Sequence, residues 1–197
     1  MHIKMKNIKK EQSNILHILG KPVVLIGMMA SGKSHVGRVL ANKLDVPFHD
    51  SDTVIEERAG RSIAEIFEQK GEAFFRTCEH QTIGALLDGP LSVISTGGGA
   101  VVSPDTLSAI KVKGLTVWLK ADQQVLLRRL KNGLRKRPLL DNDDPEIKIA
   151  NLLEERISLY QQADIIIDNS QDNVQTAVND IIKALENLKT RKENNDK

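Results

Sequence analysis

The chain has 197 residues, a formal net charge of +2, 40% apolar residues and 3% aromatics. That length suits one compact domain with a sizeable core, while the near-neutral charge and few aromatic rings argue against a protein that coats nucleic acid. The single cysteine, Cys78, excludes an internal disulfide framework, and no Cys/His spacing resembles a zinc site, so a reducing, cytoplasmic setting is expected.

Residues 1–20 read as a polar N-terminal extension. Met1 to Lys10 is basic, and Glu11 to Gly20 is broken by Gln12, Ser13, Asn14 and His17, so no signal peptide or membrane span is expected. The domain proper is expected over 21–189. It opens with an apolar strand, Val23 to Ile26, and a helix to about Leu44 whose Val36, Val39, Leu40 and Leu44 mark a buried face. Between strand and helix lies Gly27-Met28-Met29-Ala30-Ser31-Gly32-Lys33-Ser34, a complete phosphate-binding loop. Its glycines let the backbone curl and aim N–H groups at phosphate oxygens. Lys33 then reaches the β and γ phosphates, and Ser34 opens a helix whose N-terminus favours anions and whose hydroxyl can ligate Mg²⁺. Ala30 to His35 are the residues placed to touch ATP.

A second strand, Pro47 to His49, runs into Asp50-Ser51-Asp52. If the extended geometry continues, both carboxylates share one face, where Mg²⁺ and an acceptor hydroxyl would meet. The alternative is that Asp52 caps the next helix while Asp50 is solvated. Helices through Leu87 follow, with Ser62 and Glu65 spaced as a capping box. A third strand, Leu91 to Ser95, leads into Gly97-Gly98-Gly99-Ala100, whose glycines fit a place where a ligand approaches the backbone.

A short helix near Pro104 to Lys111 and a strand Leu115 to Leu119 come next, with Trp118 read as core. A helix from near Asp122 enters the most basic stretch, Arg128 to Arg137, followed at once by Asp141, Asp143 and Asp144. Those neighbouring acids weigh against a nucleic-acid patch. Another helix ends near Tyr160, and Ile165 to Ile167 make a fifth strand. The last helix shows Val174, Ala177, Val178, Ile181, Ile182, Leu185 and Leu188 at three-to-four spacing behind Asp172, a candidate N-cap. Thr190 to Lys197 read as a charged, disordered tail. Unalternated strands separated by helices point to an α/β fold with a parallel sheet buried on both faces and ligands at its carboxyl edge.

In this order, Gly27 to Ser34, Asp50-Ser51-Asp52, Gly60-Arg61-Ser62-Ile63, Phe75-Arg76, Gly97 to Ala100, Arg137-Pro138-Leu139-Leu140 and Arg156 with Leu159-Tyr160 make up a set that resembles the shikimate kinase family of P-loop proteins. The resemblance runs from about Val23 to Ile182. It implies a three-layer α/β/α fold with a five-stranded parallel sheet, a mobile lid at about 132–146, and transfer of the ATP γ-phosphoryl group to the 3-hydroxyl of shikimate. It also implies residue roles: Arg76 and Arg156 grip the substrate carboxylate, and the backbone of Gly97, Gly98 and Gly99 lines the substrate. Asp52 binds the acceptor hydroxyl and takes its proton, and Asp50 stands near Mg²⁺, with Ser95 beside it. Arg137 closes onto the γ-phosphate, and Arg129 lies near the adenine. Read without the family, Arg76 could equally pair with Glu72, and Arg156 with Glu154, Glu155 or solvent. His35, His49, Cys78, Met28 and Met29 are read as packing or lining. The family further implies a monomer. Two alternatives stand beside this reading: another small-acid kinase, such as one acting on gluconate, and a catalytically silent nucleotide-binding regulator, although Lys33, Ser34, Asp52 and Arg137 are all present.

Overall fold

A computed structural model describes residues 15–131 and 144–195. Five strands form one parallel sheet: β1 (Val23–Ile26), β2 (Phe48–Asp50), β3 (Val93–Ser95), β4 (Leu115–Lys120) and β5 (Ile165–Asp168), in the order β2-β3-β1-β4-β5. Residues 15–19 form a short helix, α1. The others are α2 (Lys33–Leu44), α3 (Ser51–Ala59), α4 (Ile63–Leu87), α5 (Pro104–Lys113), α6 (Gln123–Lys131), α7 (Pro145–Tyr160) and α8 (Val174–Asn195). A single 3₁₀ turn, Ala100–Val102, follows the glycine run.

Strand side chains alternate between two cores, as the two-residue period of a strand requires. Val23, Leu25, Val117, Leu119 and Ile167 pack against α2 and α8, whereas Val24, Ile26, Ile94 and Trp118 pack against α4, α5 and α7. Both faces are therefore covered, which explains the continuous apolar runs in the strands. The register sets Leu25, Asp50 and Ser95 at one level across three neighbouring strands, so the loops leaving β1, β2 and β3 emerge side by side at the carboxyl edge.

Helix boundaries follow local chemistry. Ser62 and Glu65 close the expected capping box on α4. Within α4, Gly71 leaves helical geometry at φ 78°, so residues before and after it run in different directions. Ser103 and Asp144 cap α5 and α7, each followed by proline in the first turn.

Three boundaries differ from the sequence reading. The polar extension does not last to residue 20, because Ile15 and Leu16 are fully buried in the core beside α2 and α8. Their apolar side chains were masked by the polarity of the surrounding stretch. Second, α8 continues through Asn195 rather than giving way to a tail at Thr190: Lys192 Nζ donates to the carbonyls of Ile18 and Leu19, which end α1. That contact joins the two ends of the described chain. Third, Asn173 rather than Asp172 caps α8, its side chain accepting from the N–H groups of Gln175 and Thr176.

Candidate functional site

The loop Gly27 to Ser34 leaves β1 and curls back into α2. Gly27 adopts φ 138°, and a Cβ there would stand 2.7 Å from the Leu119 carbonyl, so only glycine fits. Ala30 holds a left-handed φ of 61° as a non-glycine residue, a conformation the surrounding structure must support. Lys33 is buried and folds over the loop, its Nζ donating to the Gly27 and Met28 carbonyls at 2.8 Å. His35 stands exposed in the first turn of α2 at the cleft rim.

Next to the loop, the Ser34 hydroxyl donates to Asp50 Oδ2 at 2.5 Å and lies 3.4 Å from Ser95 Oγ. The level register of β2 and β3 brings these oxygens together. Asp50 does not continue an extended segment toward Asp52. It is the N-cap of α3, accepting from the Asp52 N–H. Asp52 thus sits in the first helical turn, and cap geometry rather than strand alternation sets the two carboxylates along the cleft.

The side chain of Asp52 turns inward under the glycine run. Its Oδ1 is buried without a hydrogen-bond partner, and burial, reinforced by the charges of Asp50 and Glu79, pushes its pKa up to about 6. The glycines leave room here for the ends of these side chains. A Cβ on Gly97 would fall 2.9 Å from Asp52 Oδ1 and 2.7 Å from Glu79 Oε1, and one on Gly99 would fall 2.5 Å from Arg76 Nη2.

Arg76 pairs with Glu72, as an isolated helix would allow, but also with buried Glu79, at 2.6 Å. Burial opposes the Arg76 charge, yet Glu79 and Glu72 together more than restore it and hold the guanidinium pKa above its ordinary value. Glu79 itself is raised by burial, an effect that Arg76 offsets only in part. Arg156 is 5% exposed and donates to the Gly98 carbonyl, so it pairs neither with Glu154 or Glu155 nor with solvent. Tyr160, one helical turn further along α7, donates to the same carbonyl at 2.5 Å.

Asp52, Arg76, Glu79, Arg156 and the glycines line a small lobe of about 110 Å³ that shares Met29, Asp52, Ile63, Gly97 and Gly98 with an open cleft of about 990 Å³ over the phosphate loop. Beside that cleft a third hollow of about 220 Å³ lies between His35, Arg129 and the β5–α8 connection. Arg129 crosses its wall, donating to Asp172, to the Asn169 carbonyl and to the Ala30 carbonyl. Asp172, displaced from its expected capping role, pairs with both Arg128 and Arg129, and the Arg129 hydrogen bond lowers its pKa. Arg137 and most of the expected lid lie outside the described residues. Cys78 packs beside Ile55, Ile66 and Phe75, and Met28 is buried near Tyr160, in keeping with packing roles.

The sequence reading missed two residues. Glu79 is three residues after Arg76, a spacing that places both on one helix face and was visible in principle. Asn169, just after β5, is 4% exposed and contacts the phosphate loop. Its only signal was its place at the carboxyl end of a strand.

Comparison with known proteins agrees with this geometry. The family model described as shikimate kinase matches residues 29–186. A shikimate kinase of Rhodopseudomonas palustris is 46% identical over 89% of this chain and 86% of its own. Among solved structures, shikimate kinase from Acinetobacter baumannii in complex with shikimate is 36% identical, with a TM-score of 0.74 over 85% of this chain and 92% of that one. A gluconokinase from Sinorhizobium meliloti, at 16% identity and a TM-score of 0.55, shares only the fold.

Proposed function

The chain belongs to the shikimate kinase family, and we propose that it transfers the γ-phosphoryl group of ATP to the 3-hydroxyl of shikimate, releasing ADP and shikimate 3-phosphate. It thereby serves the shikimate route to aromatic amino acids. The observation that carries this reading is the small lobe beside the phosphate loop, whose lining brings Arg76, Arg156 and Asp52 together. A small acid bearing hydroxyls matches that arrangement, because guanidinium groups bind carboxylates in charge-assisted pairs and a carboxylate accepts a hydroxyl proton.

Phosphoryl transfer has a loose transition state, so catalysis consists mainly of positioning and charge neutralisation. The loop amides and Lys33 hold the β and γ phosphates. Arg76 and Arg156 fix the carboxylate, and the backbone of Gly97 to Gly99 lies along the ring. The 3-hydroxyl oxygen attacks the γ phosphorus as the bond to the bridging oxygen of ADP breaks, and Asp52 takes the hydroxyl proton. Arg137, with the lid, neutralises the transferred group and excludes water. Arg129, with the hollow beside it, contacts the adenine.

Ser34, Asp50 and Ser95 present only oxygen donors within a short span, which fits Mg²⁺. Among the described residues no three His, Cys, Asp or Glu side chains cluster as a metal cage, in keeping with an ion held largely by phosphates and water. When bound, it neutralises phosphate charge. Among the described residues no helix is long and apolar enough to cross a membrane. A cytoplasmic monomer acting on a small molecule, with neither nucleic acid nor membrane as partner, completes the proposal.

A coupled ADP-release assay with shikimate, gluconate and nucleoside monophosphates tests it. Shikimate-dependent turnover is expected. Its absence from folded protein overturns the reading, and turnover with gluconate instead would favour the other small-acid kinase.

A further inference from the structure

The connection between β5 and α8 touches the phosphate loop at one buried point. Asn169 Nδ2 donates to the Ser31 carbonyl at 2.7 Å. Because the partner is a carbonyl, the contacting atom must be the amide nitrogen. The backbone of Asn169 is held on both sides: its N–H donates to the Lys120 carbonyl at 2.7 Å, and its carbonyl accepts from Arg129 at 2.8 Å. Sheet and α6 therefore fix this amide independently of the loop.

Peptide geometry says what the bond does. The Ser31–Gly32 peptide is trans, so the Ser31 carbonyl and the Gly32 N–H point to opposite sides. With the carbonyl tied to Asn169, the Gly32 N–H faces away from the β5–α8 connection. A glycine peptide is otherwise free to turn over, which would aim a carbonyl oxygen at a phosphate. Gly32 itself sits at φ 93°, and a Cβ there would come within 2.9 Å of Asn169 Nδ2. The glycine and the asparagine are thus fitted to one another.

We propose that Asn169 is a positioning residue for phosphate binding: by holding the Ser31 carbonyl outward it presents the Gly32 N–H to the polyphosphate, acting on the phosphates through the loop backbone. This rests on the reading of the loop as the ATP phosphate site.

Asn169→Asp keeps the shape but removes the donor, and Asn169→Ser removes the amide without adding charge. Calorimetric titration of wild type and both variants with ADP, inorganic tripolyphosphate and shikimate separates the possibilities. Both variants are expected to bind ADP and tripolyphosphate roughly tenfold more weakly, the scale of one buried hydrogen bond, with shikimate affinity unchanged. Wild-type tripolyphosphate affinity in Asn169→Ser overturns the proposal, including where Asn169→Asp alone is weakened, since that would be charge repulsion. A parallel loss of shikimate affinity, or failure of both variants to fold, assigns Asn169 a general structural role and also overturns it. Wild type that binds neither ADP nor tripolyphosphate would instead refute the reading of the loop.

Discussion

The two halves of the cleft are built from different materials. The nucleotide side is mostly backbone, one contiguous loop whose carbonyls are occupied by Lys33, Asn169 and Arg129. The acceptor side is mostly side chains from α3, α4 and α7, and three of their polar atoms, Asp52 Oδ1, Glu79 Oε1 and Arg156 Nε, are buried without hydrogen-bond partners. Unsatisfied buried polar atoms are costly and uncommon in folded proteins. Their concentration in one lobe leaves more groups there for a polar ligand to satisfy than in the loop, where Ser31 Oγ is buried in the same way.

The contrast can be broken most severely at Lys33. Lys33→Met is expected to lower kcat by about 10³-fold, since it removes the cation beside the transferred group. Shikimate affinity measured by titration should be retained; loss of both would mean that the two halves are not separable.

Asp52→Asn sharpens the comparison, because activity and stability should move in opposite directions. A loss of about 10²-fold or more in kcat is expected, together with a higher Tm above pH 6. The sign follows from the raised pKa. The folded protein binds the Asp52 proton more tightly than the unfolded chain does, so ionisation weakens the fold as pH climbs from about 4 to about 6. The gain in Tm should therefore vanish below pH 4, and wild-type kcat/KM should rise through pH 6. An unchanged Tm at pH 8 would show that the orphaned carboxylate carries no cost.

Arg76→Ala should raise the KM for shikimate by roughly 30- to 100-fold through loss of a charged contact, with the KM for ATP little changed. Equal loss of both would refute the partition. The smallest effect is expected on the nucleotide side. Asp172→Asn loosens Arg129 at an exposed pair, so the KM for ATP should rise by no more than about threefold, and steady-state kinetics at two salt concentrations should show the difference shrinking as salt increases.

The same contrast explains what could be read from the sequence. The phosphate loop is contiguous, so its spacing alone announced it, and the layered fold followed from apolar strands alternating with amphipathic helices. The acceptor lobe is assembled from segments more than a hundred residues apart, Asp52 to Arg156. No local pattern joins them, and only the family resemblance placed Arg76 and Arg156 together. Glu79 escaped because a glutamate on a helix is ordinarily exposed, and Asn169 because its partner is a backbone carbonyl, which leaves no complementary side chain to notice. Ile15 and Leu16 were lost by reading a stretch through its average polarity.

The chain contains one tryptophan and one tyrosine, and they are stacked on each other with ring centroids 5.7 Å apart. Because the Tyr160 hydroxyl also holds the Gly98 carbonyl, the indole is two contacts away from the lining of the lobe. The protein thus contains its own optical reporter. Its tryptophan emission has a single source, and the indole is joined through Tyr160 to the glycine run, so a change in that emission on adding shikimate would follow acceptor binding without a label.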